Sequence, residues 1–371
     1  MQEILERLLF LQQFGNLLSQ ELRDEVHELF EAIVDELYRF DPTGVQRRYR
    51  VGRRTAFLGS VADKVREWLP GADRLIRNRL AVLGRQQAVV AEKSLVATLG
   101  TVDLDDKVRH TPITQQRLRA ILNTEPFEGR VLAGHTEKLG ANVVDRIGVQ
   151  LRLGMAREEP VDDLVRRIRG RRAGRGFTGG VMRTTTREAE ALVRTAVTFT
   201  ANRGMMGTFR ENAEILSGVR YVATLDDRTT LICLSLDGQT WDLDDPEVVI
   251  PGEATHFGCR SILVPVVDWA KLGFDAPPPG DRIARDLSGL TEKQFDHAIS
   301  TRRSRGEFGD VERINSNTLA TQWLRGQPER VQDEIMGPRR AELFRSGEVS
   351  LKQMVTGDLR VVNLNELAGD R

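Results

Sequence analysis

The chain of 371 residues is long enough for two or three domains, each with a core of its own. Lysine plus arginine and aspartate plus glutamate number 54 each, so bulk charge points to no nucleic-acid partner and only local clusters can. Apolar residues make up 40% and aromatics 6%, an ordinary soluble mixture whose cores must rest on Leu, Val, Ile and Ala.

The amino-terminal stretch MQEILERLLFLQQFGNLLSQEL carries early acids and polar breaks, so it reads as neither a signal peptide nor a membrane span. Two cysteines make no disulfide framework and suit a reducing cytoplasm. Residues 2–40 read as helix: Ile4, Leu8, Leu11 and Phe14 recur at helical steps, with a break expected at Gly15-Asn16. The second part carries an apolar stripe from Leu18 to Leu37, which marks a core face before it marks a docking face. Asp41-Pro42-Thr43-Gly44 is a turn, and a basic stretch with Arg47, Arg48, Arg50, Arg53 and Arg54 follows. Residues 60–68 and 74–99 again read as helices.

From about 114 to 215 the pattern is helical with short loops, and Pro160 suits a helix's first turn. Arg166, Arg167, Arg169, Arg171, Arg172 and Arg175 run into a glycine-rich loop. Arginine binds phosphate well and glycine permits close approach, so these six are the candidate DNA contacts, with a solvated loop as the alternative. A long helix follows, with Thr184 to Thr186 as N-cap candidates. At Val219 the character turns to short strands around a Leu-Asp-Gly turn, and PGEATHFGCRSILVPVV adds a loop and another strand. Ala276 to Gly280 is a proline-rich linker, and 288–346 reads as mainly helical.

Cys233, His256 and Cys259 are the residues with ligand chemistry. A His and a Cys three apart on a loop, with Cys233 on a preceding hairpin, can hold zinc, which prefers sulfur and nitrogen in a tetrahedron. The fourth ligand would be water or a carboxylate among Asp226, Asp227 and Asp237. A buried cysteine pair with a hydrogen-bonded histidine is an equal reading. A metal-dependent nuclease would use His256 with Asp226 or Asp227 around an open metal position. Against an enzyme, the chain lacks paired-histidine, Walker and serine-elbow motifs.

Four stretches together resemble the phage head-morphogenesis family, the phage Mu protein F-like minor head proteins. LRLGMAREEPVDDLVRRIRG resembles a family helix–turn–helix, and ALVRTAVTFTANRGMMGTFREN its Arg-Thr helix, with Ala196 where an acid is usual. GVRYVATLDDRTTLICLSLDG with THFGCRS resembles the signature: a Thr-x-Asp-x-Arg hairpin, a Cys, a Leu-Asp-Gly turn and a His-x-x-Cys-Arg loop. TQWLRGQPERVQDEIMGPRRAELFRSGEVSLKQMV resembles the carboxy-terminal segment. Thr230 and Ser261 stand where many relatives have cysteine.

The expectation is therefore an α+β, predominantly helical protein with a small β-hairpin Cys/His unit. Its parts would be a helical region over 1–110, a head-morphogenesis domain over 111–270, and a linker with a helical segment over 271–371. The resemblance implies a minor capsid protein bound to the portal protein, with scaffold or major capsid protein and non-specific DNA as further partners and no membrane. It would assist head assembly and DNA packaging or ejection, in the head interior of the virion and before that in the host cytoplasm. It would be no enzyme; the alternative is a nuclease or toxin-like effector on the same scaffold. Residues 1–40 lie outside the resemblance and are the expected site of contacts particular to one phage.

Overall fold

The computed structural model describes residues 2–40, 47–110, 113–174, 176–278, 281–284 and 312–369. The chain divides into two compact units, one of Gln13–Arg85 and Thr114–Thr200, the other of Met1–Gln12, Gln86–Ile113 and Ala201–Arg371. The expected mixture of many helices and small antiparallel sheets is what the structure contains.

In the first unit the helices are α1 (Gln2–Phe40, its later part), α2 (Arg47–Leu99, its earlier part), α3 (Gln115–Thr124), α4 (Leu132–Ala156) and α5 (Val161–Ile168). A two-stranded ribbon, β1 (Arg171–Ala173) with β2 (Gly176–Thr178), leads into α6 (Gly180–Glu211). Leu22, Val26, Phe30, Ile33 and Leu37 of α1 are fully buried, as are Val61 and Ile76 of α2 and Val143 and Ile147 of α4. Helices α2 and α4 approach closely at Gly140, where a Cβ would lie 2.9 Å from Val65 Cγ1.

Four expectations are corrected here. Helix α1 is continuous through Gly15-Asn16. An interior glycine costs about 1 kcal/mol, whereas each fully buried large apolar side chain returns about 1.5–3 kcal/mol, so the stripe outweighs the breaker. The same reasoning carries α2 unbroken across Pro70, with Val65 and Ala72 buried on either side. Helix α6 begins at Gly180, so Thr184 to Thr186 lie inside it and cap nothing; Thr186 instead bonds the Met182 carbonyl one turn back at 2.9 Å. Pro160 sits one position earlier than expected, as the N-cap of α5.

The second unit holds a three-stranded antiparallel sheet of order β4-β3-β5, with β3 (Leu216–Val222) between β4 (Thr240–Trp241) and β5 (Ile262–Val267). One core cluster joins this sheet to Leu95 and Leu99 of α2 and to Met205, Met206 and Phe209 of α6. A second gathers Leu225 and Leu234 with Trp323, Leu324, Phe344 and Met354. Its helices are α7 (Leu231–Leu236), α8 (Trp269–Leu272), α9 (Ala320–Arg325), α10 (Glu329–Met336), α11 (Pro338–Arg345) and α12 (Leu364–Gly369). Strands β6 (Asp281–Ala284) and β7 (Glu312–Asn315) pair antiparallel, so the region expected to be helical after the prolines includes a strand at 312–315. The expected turn at 41–44, Pro279-Gly280 of the linker, and 288–311 lie outside the described residues.

Candidate metal centre

Strand β3 alternates its side chains between faces, and this puts Tyr221 at zero exposure among the core residues. After β3 the chain turns through Asp226 to Thr229 and enters α7, where a strand was expected. Ile, Cys and Leu favour strands, but Thr230 caps the segment: its Oγ1 accepts from Cys233 N at 3.4 Å. Cys233 is therefore presented by a short helix. The Leu-Asp-Gly turn follows as expected, with Gly238 at φ +81°, and returns the chain to β4.

The loop before β5 folds back on itself, Cys259 N donating to His256 O at 3.3 Å. It brings His256 Nε2 to 3.0 Å from Cys233 Sγ and Cys259 Sγ to 3.7 Å from the same sulfur. The Tyr221 hydroxyl lies 3.2 Å from Cys233 Sγ and 3.8 Å from Cys259 Sγ. His256 Nδ1 is 3.0 Å from the Phe257 carbonyl, which suits Nδ1–H as donor and leaves the Nε2 lone pair facing the sulfurs. Both cysteines are buried and His256 is half-buried.

The three ligand atoms lie within 4.8 Å of one another, so the group can hold a metal ion. Zinc–sulfur bonds of about 2.3 Å at the tetrahedral angle put two sulfurs about 3.7–3.8 Å apart, and the cysteines already stand at that separation. The His256–Cys233 separation is shorter than a tetrahedral edge and is a hydrogen bond as it stands. Cys233, His256 and Cys259 thus fit as three ligands of a tetrahedral ion. Among the described residues no carboxylate joins them. The side chain of Ser261 reaches both Tyr221 and Cys233, at a position where the resemblance had put cysteine.

The electrostatics follow from crowding two thiols. Burial works against charge on Cys259, but the hydrogen bond from Cys233 and the His256 ring in its protonated form outweigh it and hold this thiol well below its usual value. Cys233 moves well above, through its hydrogen bond with Cys259 and its burial. Burial also pushes the Tyr221 hydroxyl up. The first proton therefore leaves Cys259 and the second stays on Cys233, until a cation arrives to take both sulfurs as thiolates.

Of the aspartates expected as fourth ligand or catalytic base, Asp226 and Asp237 have other partners, and none of the three, Asp227 included, joins the Cys/His group. Asp226 is buried in a bidentate pair with Arg260, at 2.6 and 2.7 Å, and also accepts from Thr229 Oγ1 and Arg228 N. Asp237 accepts from both Arg282 nitrogens, at 2.7 and 2.9 Å, and from the backbone N–H groups of Ala223 and Ala320, each at 2.8 Å. The two halves of the signature are thus joined by an ion pair, the Asp of Thr-x-Asp-x-Arg binding the Arg of His-x-x-Cys-Arg. Behind β5, Asn202 accepts from Leu263 N at 2.9 Å and donates to Ser261 O at 3.4 Å. Arg7 donates to Gln87 Oε1, Leu263 O and Asn202 Oδ1, and burial lowers its pKa to about 9. Sequence reading missed Tyr221, Asn202, Arg7 and Arg282, which carry no motif; only the apolar run around Tyr221 hinted at burial.

Residues 145–264 match the family model described as Phage Mu protein F like protein. This segment is a phage Mu protein F like domain. The match supports the resemblance to the phage head-morphogenesis proteins, and the segment holds all three candidate ligands together with Tyr221, Asp226, Asp237 and Arg260. No curated protein and no solved structure matches the chain. Arg7 and Arg282, which tie down the domain's strand and turn, lie outside the matched segment.

The domain's arginines are sorted by their partners. Arg166 pairs with Asp163, Arg167 with Glu159 at 2.5 Å, and Arg169 with Glu31 at 3.1 Å while lying over the Phe177 ring. Arg171 and Arg172 are exposed on β1 and make no ion pair among the described residues. Arg175 lies outside those residues.

Proposed function

We propose that this protein is a minor head component of a phage capsid, bound to the portal protein, that assists head assembly and DNA packaging or ejection as a structural part and not as an enzyme. The phage Mu protein F like domain carries this reading. The centre adds support. Asp226 and Asp237 are consumed by arginines, a hydroxyl and backbone donors, which is how a small loop-rich unit is held together, whereas a hydrolytic site keeps a base available to activated water. Zinc on Cys233, His256 and Cys259 would be a structural cross-link between α7 and the loop before β5. Scaffold or major capsid protein and non-specific DNA are the further partners in this reading, in the head interior of the virion and, during assembly, the host cytoplasm. No helix among the described residues is long and apolar enough to cross a membrane.

The test is co-assembly of the intact chain with its cognate portal and capsid proteins, followed by analysis of purified particles. Removing residues 1–40 would not test the contacts expected there, because it would take out a helix whose stripe is core. The chain should sediment with portal-containing particles at low copy. Heads that form with their portal but without this chain, or a nuclease activity lost in a His256→Ala variant, would overturn the proposal.

A further inference from the structure

Between Asp163 and Glu188 the sequence contains eight arginines and no acid. The structure divides them unequally. Arg166, Arg167 and Arg169 are matched by acids, as described above. Arg171, Arg172, Arg183 and Arg187 are exposed and have no carboxylate within ion-pair distance among the described residues. Arg183 donates instead to Thr178 Oγ1 at 2.8 Å, joining α6 to β2. Thr178 stands opposite Arg171 across the ribbon, so these two share a face. Arg187 is one turn beyond Arg183 on the same side of α6, where like charges repel.

The ribbon that carries this charge is held at its neck by two glycines. Gly170 has φ +100°, and a Cβ there would sit 2.6 Å from Thr178 O; Gly180 has φ +73°, and a Cβ there would sit 2.5 Å from Gly170 N. Backbone packs on backbone at this point. Phe177 anchors the ribbon between His27 and the Arg169 guanidinium. The cations therefore project from a fixed support.

We infer that Arg171, Arg183 and Arg187 form a binding surface for a phosphodiester backbone, read without regard to base sequence; Arg172, opposite Phe177, is on the ribbon's other face. This rests on the DNA contact in the function proposed above and names the residues that make it. Along residues 171–187 the exposed neighbours are Ala173, Gly174, Thr178, Gly179 and Thr184, none with a large apolar side chain; the exposed Val149 lies at the margin, beside Gly180 and Thr184. A protein interface would need such an anchor at its centre. Phosphate contacts use arginine, hydroxyls and close-approaching backbone, and these are the groups present. Of the six arginines singled out from sequence the surface keeps Arg171 and adds Arg183 and Arg187; acids neutralise three of the others, Arg172 is on the opposite face, and Arg175 lies outside the described residues.

The test measures the full-length chain on a labelled duplex and on a single strand of unrelated sequence, by anisotropy across about 50–200 mM salt. Three phosphate contacts predict a slope of log K on log salt of about −3 for duplex, and a shallower slope for single strand. Arg183→Gln with Arg187→Gln, folded by circular dichroism, should flatten the duplex slope by about 1.8. Arg166→Gln, which removes an acid-paired arginine, should leave it unchanged. An unaltered slope in the double variant would overturn this surface while leaving DNA contact elsewhere on the chain. Wild-type protein that binds neither DNA, or that prefers anionic vesicles to both, would overturn the surface and the DNA reading together.

Discussion

The aspartates and arginines around the Cys/His group and the arginines along 171–187 are similar chemistry finished in two ways. Asp237 accepts four hydrogen bonds, from Arg282, Ala223 and Ala320, and its ion pair is 3% exposed on the arginine side and 0% on the aspartate side. The ribbon and the first turns of α6 hold cations with no acid within ion-pair distance among the described residues. A buried charge must find its partners within the fold, because leaving it unmatched costs several kcal/mol. An exposed charge can wait for a partner from outside. Saturation therefore marks the first region as framework, and the lack of it marks the second as surface for use.

The comparison breaks most visibly at Asp237. Asp237→Ala strands the buried Arg282 and two backbone donors, and urea denaturation should show a loss of about 3–5 kcal/mol. A loss below about 1 kcal/mol would mean that water reaches the pair and that the turn is not framework. Metal binding comes next. With three ligands, purified protein should carry less than a full complement of zinc and release it to a chelator, since structural sites use four. Ser261→Cys adds a thiol at a side chain that already reaches Cys233, and elemental analysis should then find tightly held zinc. Full, chelator-resistant occupancy in the unaltered chain would show that Tyr221, Ser261 or water completes the site without help.

Acid should loosen the same framework in a defined direction. Burial alone would raise Asp226, but the Arg260 charge outweighs it, so its folded value lies below the ordinary 3.8. A depressed aspartate contributes stability above its unfolded value, and that contribution fades as pH falls from about 3.8 through the lower folded value. Asp226→Asn should be less stable at neutral pH and should show a flatter melting curve against pH in that acid window. Equal acid sensitivity in both proteins would assign the loss to other carboxylates.

How far the sequence discloses all this depends on the range of the forces involved. The long apolar stripe of α1, the strand from Ile262 and the Leu-Asp-Gly turn are local patterns, and local reading finds them. The Cys233–His256–Cys259 group is legible as chemistry, and its assembly by the fold bears that out as a group able to hold a metal. The helix at Leu231–Leu236 is hidden because its residues favour strands, and a cap with core contacts overrides them. Gly15 and Pro70 mislead because breakers act locally while core burial acts along the whole helix. The partners of the carboxylates are the least legible: Arg260 is 34 residues from Asp226, and Arg282 is 45 from Asp237. No spacing rule connects them before the chain has folded, and the same holds for the acids that silence Arg167 and Arg169.

The smallest expected effect is the sharpest probe of the unsaturated region, because its sign opposes ordinary intuition about mutations. Arg183 and Arg187 stand at i, i+4 on α6 and are both exposed. Like charges at that spacing destabilise a helix by about 0.2–0.5 kcal/mol. Arg187→Gln removes the repulsion without disturbing the Arg183–Thr178 bond, so at low salt and without DNA the protein should gain that amount of stability. The gain should vanish near 1 M salt, where the screening length falls to about 3 Å. The same variant should bind duplex less tightly. A residue kept for packing would lose stability when replaced, and a residue merely solvated would leave affinity untouched. Only a cation held ready for an external anion improves the free protein and impairs the complex.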